Sequence, residues 1–236
     1  MLKIDNLALR VGERTLFTLG HLDLHSGIVA LVGRNGSGKS TFIRTVLGEH
    51  NDYDGRIEIN GRALHAWQKK DVSKEIAVVY SKPQLFGNHT VRDVLLLGRL
   101  PYQGMFATIS ESDELVVFRI AELLDIVQLL DQPFQILSDG EKQLVMIGRA
   151  LVQDTPVLLM DEPGAFLDIV NRYRLVELMN KIAQESNKLI LFSTHHIDLL
   201  SACCYKVLLI ENGEVMQLDD TEHFEKQIKE VFSIQA

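Results

Sequence analysis

Residues 33–41 place three glycines, one lysine and three hydroxyl side chains in nine positions, directly after a short apolar run at 28–32. A helical pattern of apolar residues follows at 42–47. The segment matches the pattern Gly-x-x-x-x-Gly-Lys-Ser/Thr in the strand, loop and helix setting that this pattern requires. It therefore restricts the chain to folds in which a buried strand leads into a glycine-rich loop and then into a helix.

Such a loop is built to hold phosphate groups. Its glycines let successive backbone N–H groups converge on phosphate oxygens without Cβ clashes, and the following helix N-terminus adds its dipole. We expect Lys39 to face solvent and reach the β- and γ-phosphates of a nucleotide, and the Ser40 hydroxyl to ligate Mg²⁺. The predicted nucleotide-binding residues of this segment are Gly33, Arg34, Asn35, Gly36, Ser37, Gly38, Lys39, Ser40 and Thr41.

A second apolar run, at 157–160, ends in the two carboxylates Asp161 and Glu162. Open α/β sheets bind their ligands at the carboxyl ends of the strands, so we expect this pair beside the phosphate loop. Asp161 is then a ligand of the Mg²⁺ site, and Glu162 is the residue that polarises the attacking water. Neighbouring strand residues point to opposite faces, but the chain is leaving the strand here, so both carboxylates can face the site.

Short apolar runs alternate with helical patterns along the chain, which is typical of a mostly parallel sheet wrapped by helices. The predicted buried strands are residues 28–32, 76–80, 157–160, 189–193 and 207–210. The pairs Asn60-Gly61 and Asn212-Gly213 predict hairpin turns, the first within an N-terminal antiparallel β element and the second near the end of the chain.

The middle of the chain has a different pattern. Residues 90–130 contain no clear strand, and Val117, Ala121, Leu124 and Val127 recur at helical spacing. We therefore predict a helical insertion on the α/β core.

Charge and hydropathy exclude some classes of function. The net charge of −8 argues against a non-specific nucleic-acid binder, because no basic face stands out to neutralise phosphates. No apolar run reaches the ~18 residues of a membrane span, and the N-terminus lacks a signal-peptide layout. We expect a cytoplasmic protein without direct membrane insertion. The adjacent Cys203 and Cys204 lie in a helical pattern, where we expect packing rather than metal or redox chemistry.

A third motif carries a family resemblance. The segment Leu137-Ser138-Asp139-Gly140-Glu141 resembles the Leu-Ser-Gly-Gly-Gln signature of ABC ATPases. In that family the signature Ser and Gly of one subunit cap the γ-phosphate held by the phosphate loop of the other. The resemblance therefore implies that Ser138 and Gly140 contact ATP in a homodimer, with two ATP molecules between the two copies.

Other positions take roles from the same resemblance. Asp168 corresponds to the aspartate that ends the family's D-loop, and His195 to the switch histidine that contacts the γ-phosphate. The family's Q-loop glutamine aligns with Ser81, and Gln84 follows three residues later, so both are Q-loop candidates.

The resemblance implies the domain organisation and the activity. It predicts a single ABC ATPase domain over residues 1–236, with a P-loop NTPase (RecA-like) core from 1–84 and 145–236 and a helical signature subdomain at 85–144. It further implies hydrolysis of ATP with Mg²⁺, coupled to transport through integral membrane permease subunits. The protein would then be peripheral on the inner face of the cell membrane.

The resemblance is closest to the importers of ferric siderophores, haem and cobalamin, whose Gly-Arg-x-Pro-aromatic segment is similar to residues 98–102. An alternative is a soluble ABC ATPase that regulates or scaffolds an assembly, such as iron–sulfur cluster biogenesis. DNA-repair relatives carry a large insertion and translation relatives fuse two domains. This chain has one set of motifs and 98 residues between Lys39 and Ser138.

Two departures from the family pattern bear on the site. Val11 stands where an aromatic residue usually stacks on adenine, which predicts loose base recognition unless another aromatic such as Phe17 takes that role. Asp139 replaces a glycine of the signature. Its carboxylate costs affinity if it points at the nucleotide, and is harmless if it points outward.

Overall fold

Ten strands form one mixed sheet in this computed structural model, which describes residues 1–81, 87–103, 109–197, 200–219 and 223–232. The strands are Leu2–Val11 (β1), Arg14–Leu24 (β2), Gly27–Gly33 (β3), Tyr53–Ile59 (β4), Arg62–Ala63 (β5), Ile76–Val79 (β6), Val157–Asp161 (β7), Leu189–Thr194 (β8), Lys206–Glu211 (β9) and Glu214–Leu218 (β10). Their order across the sheet is β5-β4-β1-β2-β10-β9-β3-β8-β7-β6.

Helices surround the sheet. In the described parts of the chain they are Lys39–Val46 (α1), Lys69–Glu75 (α2), Val91–Leu96 (α3), Glu111–Leu123 (α4), Asp139–Val152 (α5), Ile169–Ser186 (α6), Leu200–Cys203 (α7) and Phe224–Val231 (α8). Short 3₁₀ helices occur at Leu64–Ala66, Leu97–Tyr102, Val127–Leu129 and Phe134–Ile136.

The sheet has a parallel part and an antiparallel part. Strands β9, β3, β8, β7 and β6 are parallel to one another, whereas β2, β1, β4 and β5 pair antiparallel at the opposite end. The hairpin β9–β10 lies between the two parts. The predicted α/β class, with a parallel core and an N-terminal antiparallel β element, is confirmed. Each of the five predicted strands differs from the observed one by at most one residue at either end; β6 ends at Val79, for example, and β7 includes Asp161.

Buried apolar side chains lie on both faces of the sheet, as a covered parallel sheet requires. Along β3, Ile28, Ala30 and Val32 belong to the core under α3 to α8. The alternate residues Val29 and Leu31 belong to a second core that includes α1 and the antiparallel strands. Both faces of β3 are therefore excluded from water, which fixes the position of the loop that follows it.

The predicted helical stretch contains α3 and α4. Each begins at a capping box, Thr90 with Asp93 and Ser110 with Asp113, in which side chain and backbone satisfy each other's hydrogen bonds. The face predicted for α4 is buried, including Val117. The helix α5 runs through positions 144 and 145, so the predicted boundary falls inside a helix, and the division into subdomains stays a prediction.

Residues 98–102 hold the end of α5. A Cβ on Gly98 would lie 2.4 Å from the carbonyl oxygen of Arg149, so only glycine permits this approach. Arg99 donates to the Asp113 carboxylate at 2.8 Å and to the Val152 carbonyl at 3.1 Å, with its guanidinium over the Tyr102 ring. The segment therefore joins the start of α4 to the last turn of α5.

The C-terminal part of the described chain packs against the core. Phe224 and Ile228 of α8 are buried. Cys204 is buried and Cys203 half-buried, with their sulfur atoms 3.5 Å apart. None of the helices in the described ranges combines the length and the apolar character of a membrane span.

Candidate active site

The glycine-rich loop joins β3 to α1 and follows a path that two of its glycines permit. A Cβ on Gly33 would lie 2.6 Å from the Ser37 hydroxyl, so the loop closes back on its first residue. Gly38, at φ 104°, is the N-cap of α1, in a conformation that residues with a Cβ rarely adopt. The first turn of α1 thereby presents its free N–H groups to the space above the loop.

Lys39 lies inside this loop. Its ammonium donates to the carbonyl oxygens of Gly33 at 2.9 Å and Arg34 at 3.4 Å, and lies 3.8 Å from a Glu162 carboxylate oxygen. The expectation that Lys39 faces solvent is wrong, since only 6% of the residue is exposed. The loop wraps around the ammonium because its carbonyls, together with Glu162, supply the partners that a buried charge needs.

Asp161 and Glu162 reach the site by different means. Asp161 is the last residue of β7 and pairs in register with Ser193 of β8, whose hydroxyl donates to the Asp161 carboxylate at 2.6 Å. Glu162 follows in a left-handed conformation, φ 48°, and its N–H donates to the Ser193 hydroxyl at 2.9 Å and carbonyl at 3.2 Å. The turn carries Glu162 out of the strand, so that its carboxylate faces the Lys39 ammonium whereas the Asp161 carboxylate is held by Ser193.

His195 completes the group around Glu162. Its Nδ1 lies 3.0 Å from the second Glu162 carboxylate oxygen, and the ring is half exposed. The structure thus brings together Lys39, Glu162 and His195, from three separate motifs of the sequence. The Glu162 carboxylate is thereby held between an ammonium and an imidazole, and its role as acceptor of a proton from water stays a prediction.

Two residues that no sequence motif marked contact the residues of this group. Ser193 donates to the Asp161 carboxylate and accepts from the Glu162 N–H. The sequence could have indicated this residue, because Ser193 ends a predicted strand that is parallel to the strand before Asp161. Arg172 of α6 contacts the Nδ1 of His196 at 3.2 Å, and the ring of His196 lies 4.1 Å from that of His195. No sequence motif marks Arg172, because the contact depends on how α6 packs.

A cavity of about 370 Å³ opens over the loop. It is lined by Val11, Arg14, Leu16, Asn35, Gly36, Gly38, Lys39, Ser40, Thr41 and Glu162. Six of these belong to the predicted nucleotide-binding segment, and Glu162 is the predicted catalytic carboxylate. The cavity therefore combines the predicted phosphate-binding residues with the carboxylate that is predicted to activate water.

The signature lies elsewhere on the chain. Ser138 is the N-cap of α5 and forms a capping box with Glu141, whose pKa is lowered by the hydrogen bonds from Ser138. Gly140 packs beside Leu167, and Asp168 caps α6 by accepting from the Asn171 N–H at 2.8 Å. Among the described residues, Ser138, Gly140 and Asp168 are not part of the cavity over Lys39.

The structure shows where the two departures from the family pattern, Val11 and Asp139, lie. The Asp139 side chain is 76% exposed and lies 4.0 Å from the Lys142 ammonium, beside its own helix. Phe17 is 1% exposed and packs against Phe42, so it is not accessible for stacking on a base, whereas Val11 lines the cavity.

The structure describes only one of the two Q-loop candidates. Ser81 follows β6 and is half-buried, and Gln84 lies outside the described residues. Which of the two serves the Q-loop role stays a prediction.

These features define a P-loop ATPase of the α/β class. Residues 21–165 match the ABC transporter family. An uncharacterized ABC transporter ATP-binding protein of Methanocaldococcus jannaschii is 35% identical over 228 residues, covering 96% of this chain and 79% of that protein. The chain belongs to the ABC transporter family as an ATP-binding protein, and membership implies ATP hydrolysis.

Two further similarities concern transport proteins. The iron(3+)-hydroxamate import ATP-binding protein FhuC of Bacillus subtilis is 27% identical over 217 residues, covering 92% of this chain and 81% of FhuC. The structure of CbiO1 of Clostridium perfringens, part of the ABC transporter complex CbiONQ, matches with a TM-score of 0.82 at 26% identity. The match covers 96% of this chain and 91% of CbiO1.

Proposed function

We propose that this chain is the ATPase subunit of an importer and drives uptake of a ferric siderophore, haem or cobalamin through a separate permease. The observation that carries the ATPase part is the convergence of Lys39, Glu162 and His195 over the phosphate loop. The import part is supported by the similarity to FhuC and by the segment at 98–102. The permease would place the protein on the cytoplasmic face of the cell membrane.

In the proposed mechanism, nucleotide phosphates replace the loop carbonyls as partners of the Lys39 ammonium. The free N–H groups of α1 bind the same phosphate oxygens. Glu162 accepts a proton from the attacking water, and His195, on the other side of the carboxylate, fixes its orientation and contacts the γ-phosphate. The left-handed turn at Glu162 holds this arrangement before substrate binds, so little reorganisation is needed during the reaction.

Mg²⁺ fits the donors at this site. Ser40 and Asp161 offer a hydroxyl and a carboxylate oxygen, which are the hard ligands that Mg²⁺ prefers. In the described parts of the chain, no three His, Cys, Asp or Glu side chains converge as a metal cage. This suits an ion held by one carboxylate, one hydroxyl and substrate phosphates, which would neutralise charge on the phosphates.

The second partner is another copy of the chain. At the start of α5, Ser138 is exposed and Gly140 is half-buried, and neither lines the cavity of its own chain. A head-to-tail pair would bring them to the γ-phosphate bound by the other copy. Asp168 and the adjoining loop would lie at the same interface.

Uptake assays test the import proposal. Cells that lack this chain should lose uptake of one labelled ligand among a ferric siderophore, haem and cobalamin. Uptake should return with the wild-type chain and not with a Glu162→Gln variant. Normal uptake of all three ligands in the deleted cells would contradict the proposed substrates. A defect in iron–sulfur enzymes instead would support the assembly-regulating alternative.

A further inference from the structure

One wall of the cavity over the phosphate loop comes from outside the phosphate loop and the Asp161-Glu162 pair. This wall is the end of the β1–β2 hairpin, where Val11 and Arg14 are paired across the turn formed by Gly12 and Glu13. Side chains of directly paired residues lie on the same face of a sheet. Val11, Arg14 and the nearby Leu16 all line the cavity, and Leu16 lies against Gly38 at the end of the loop.

Arg14 differs from neighbouring arginines in its lack of partners. Arg10 is paired with Asp52 and Asp54, and Arg34 lies 3.9 Å from Glu211 and over the Phe232 ring. Within the described ranges, the side chain of Arg14 makes no hydrogen bond, ion pair or ring contact, and the residue is exposed. Its guanidinium is therefore available to a ligand in the cavity.

The base of a bound nucleotide needs a planar partner that the cavity otherwise lacks. None of the described residues that line the cavity is aromatic, and Phe17 is buried behind it against Phe42. A guanidinium is planar and delocalised, and it stacks on aromatic rings as an ammonium does not. Val11 and Leu16 supply apolar surface beside it.

We propose that Arg14 contacts the nucleotide base, with its guanidinium stacked on the purine ring and Val11 beside it. Arg14 is then a residue that contributes affinity for the base. Stacking by a guanidinium does not depend on the exocyclic groups of the purine, so this contact accepts adenine and guanine alike. The proposal rests on the proposed binding of nucleotide at this cavity.

Binding measurements on the full chain separate a base contact from simple attraction of phosphate. Calorimetry would compare ATP, GTP and inorganic tripolyphosphate for the wild type, Arg14→Ala and Arg14→Lys. We expect Arg14→Ala to raise the Kd of both nucleotides about tenfold, a change of ~1.4 kcal/mol, and to leave the Kd of tripolyphosphate within about twofold. Arg14→Lys keeps the charge but not the plane, and should resemble Arg14→Ala.

Two further variants sharpen the comparison. Arg119→Ala removes the same charge from an exposed position on α4, away from the cavity, and should change none of the three constants. Val11→Tyr combined with Arg14→Ala should restore nucleotide binding, because an aromatic ring then provides the stacking surface.

The outcomes are distinct. Equal losses of nucleotide and tripolyphosphate affinity in Arg14→Ala would overturn the proposal and assign Arg14 to the phosphates. Unchanged affinity for all three probes would also overturn it. A folded wild-type chain that binds neither nucleotide nor tripolyphosphate would instead refute the nucleotide site itself, whatever the role of Arg14.

Discussion

Replacing Glu162 by glutamine tests the chemistry of the site and its architecture together. Glutamine has the shape of glutamate, so the left-handed turn and the hydrogen bonds from its N–H to Ser193 should persist. It cannot accept a proton from water. We therefore expect kcat for ATP hydrolysis to fall at least about 10²-fold, which corresponds to ~2.7 kcal/mol in the activation free energy.

Nucleotide binding should survive the same change. The substitution removes a negative charge 3.8 Å from the Lys39 ammonium, so that ammonium becomes more available to phosphate. The Kd for ATP should be unchanged or lower. Glu177→Gln, which makes the same change at an exposed position on α6, is the matched control and should hydrolyse ATP normally.

The assays are steady-state ATPase kinetics and size-exclusion chromatography with ATP or ADP. If Ser138 and Gly140 of a second copy contact the unhydrolysed γ-phosphate, the Glu162→Gln variant should elute as a dimer with ATP and Mg²⁺, and mostly as a monomer with ADP. Undiminished hydrolysis would refute the role of Glu162.

A variant that hydrolyses ATP slowly but stays monomeric would support the role of Glu162. It would contradict contact of Ser138 and Gly140 with the nucleotide of the other copy. Asp139→Gly in the same background then tests charge repulsion by the signature. Because the Asp139 side chain points to solvent near Lys142, we expect this second change to alter dimerisation little.

Three further outcomes are expected. Lys39→Ala should abolish measurable ATP turnover in a protein that remains folded by circular dichroism. Its Tm should fall, because the Glu162 carboxylate loses its buried partner. Near-normal turnover would remove Lys39 from the mechanism. The kcat/KM for GTP should lie within about tenfold of that for ATP, a difference of ~1.4 kcal/mol, and a hundredfold preference for ATP would contradict the loose base site. Asp113→Asn should lower the free energy of unfolding by about 1–3 kcal/mol near neutral pH in denaturant titrations. The hydrogen bond from Arg99 lowers the pKa of Asp113 below its ordinary 3.8, so this stabilisation is present above that value and is lost as the pH falls through the folded pKa, where the two proteins should converge.

The sequence predicted the parts of this fold that depend on local patterns. Apolar runs bounded by glycine, proline or charge located the five buried strands to within about one residue. The order of strands was not predictable in this way, because the insertion of β10 between β2 and β9 depends on pairing between distant residues. The phosphate loop, Asp161 and Glu162 were recognisable because their spacing is set by the ligand that they bind.

The finer geometry of the site depended on three-dimensional packing. Burial of Lys39 follows from how the loop closes on Gly33, and the contact of Arg172 with His196 follows from the position of α6. The orientation of Asp139 depends on the capping of α5 at Ser138. None of these features follows a periodic pattern in the sequence, so the residue types alone could not predict them.

The backbone at Glu162 has a consequence for how this protein tolerates mutation. A left-handed conformation at φ 48° is one that glycine adopts at less cost than glutamate, so the proposed catalytic role and the stability of the fold favour different residues at this position. Random changes here that destroy activity need not destroy the fold. Inactive copies would persist as folded protein and, in the proposed pair of copies, would take the place of active ones. Loss of this one carboxylate would then act as a dominant defect rather than as a simple shortage of enzyme.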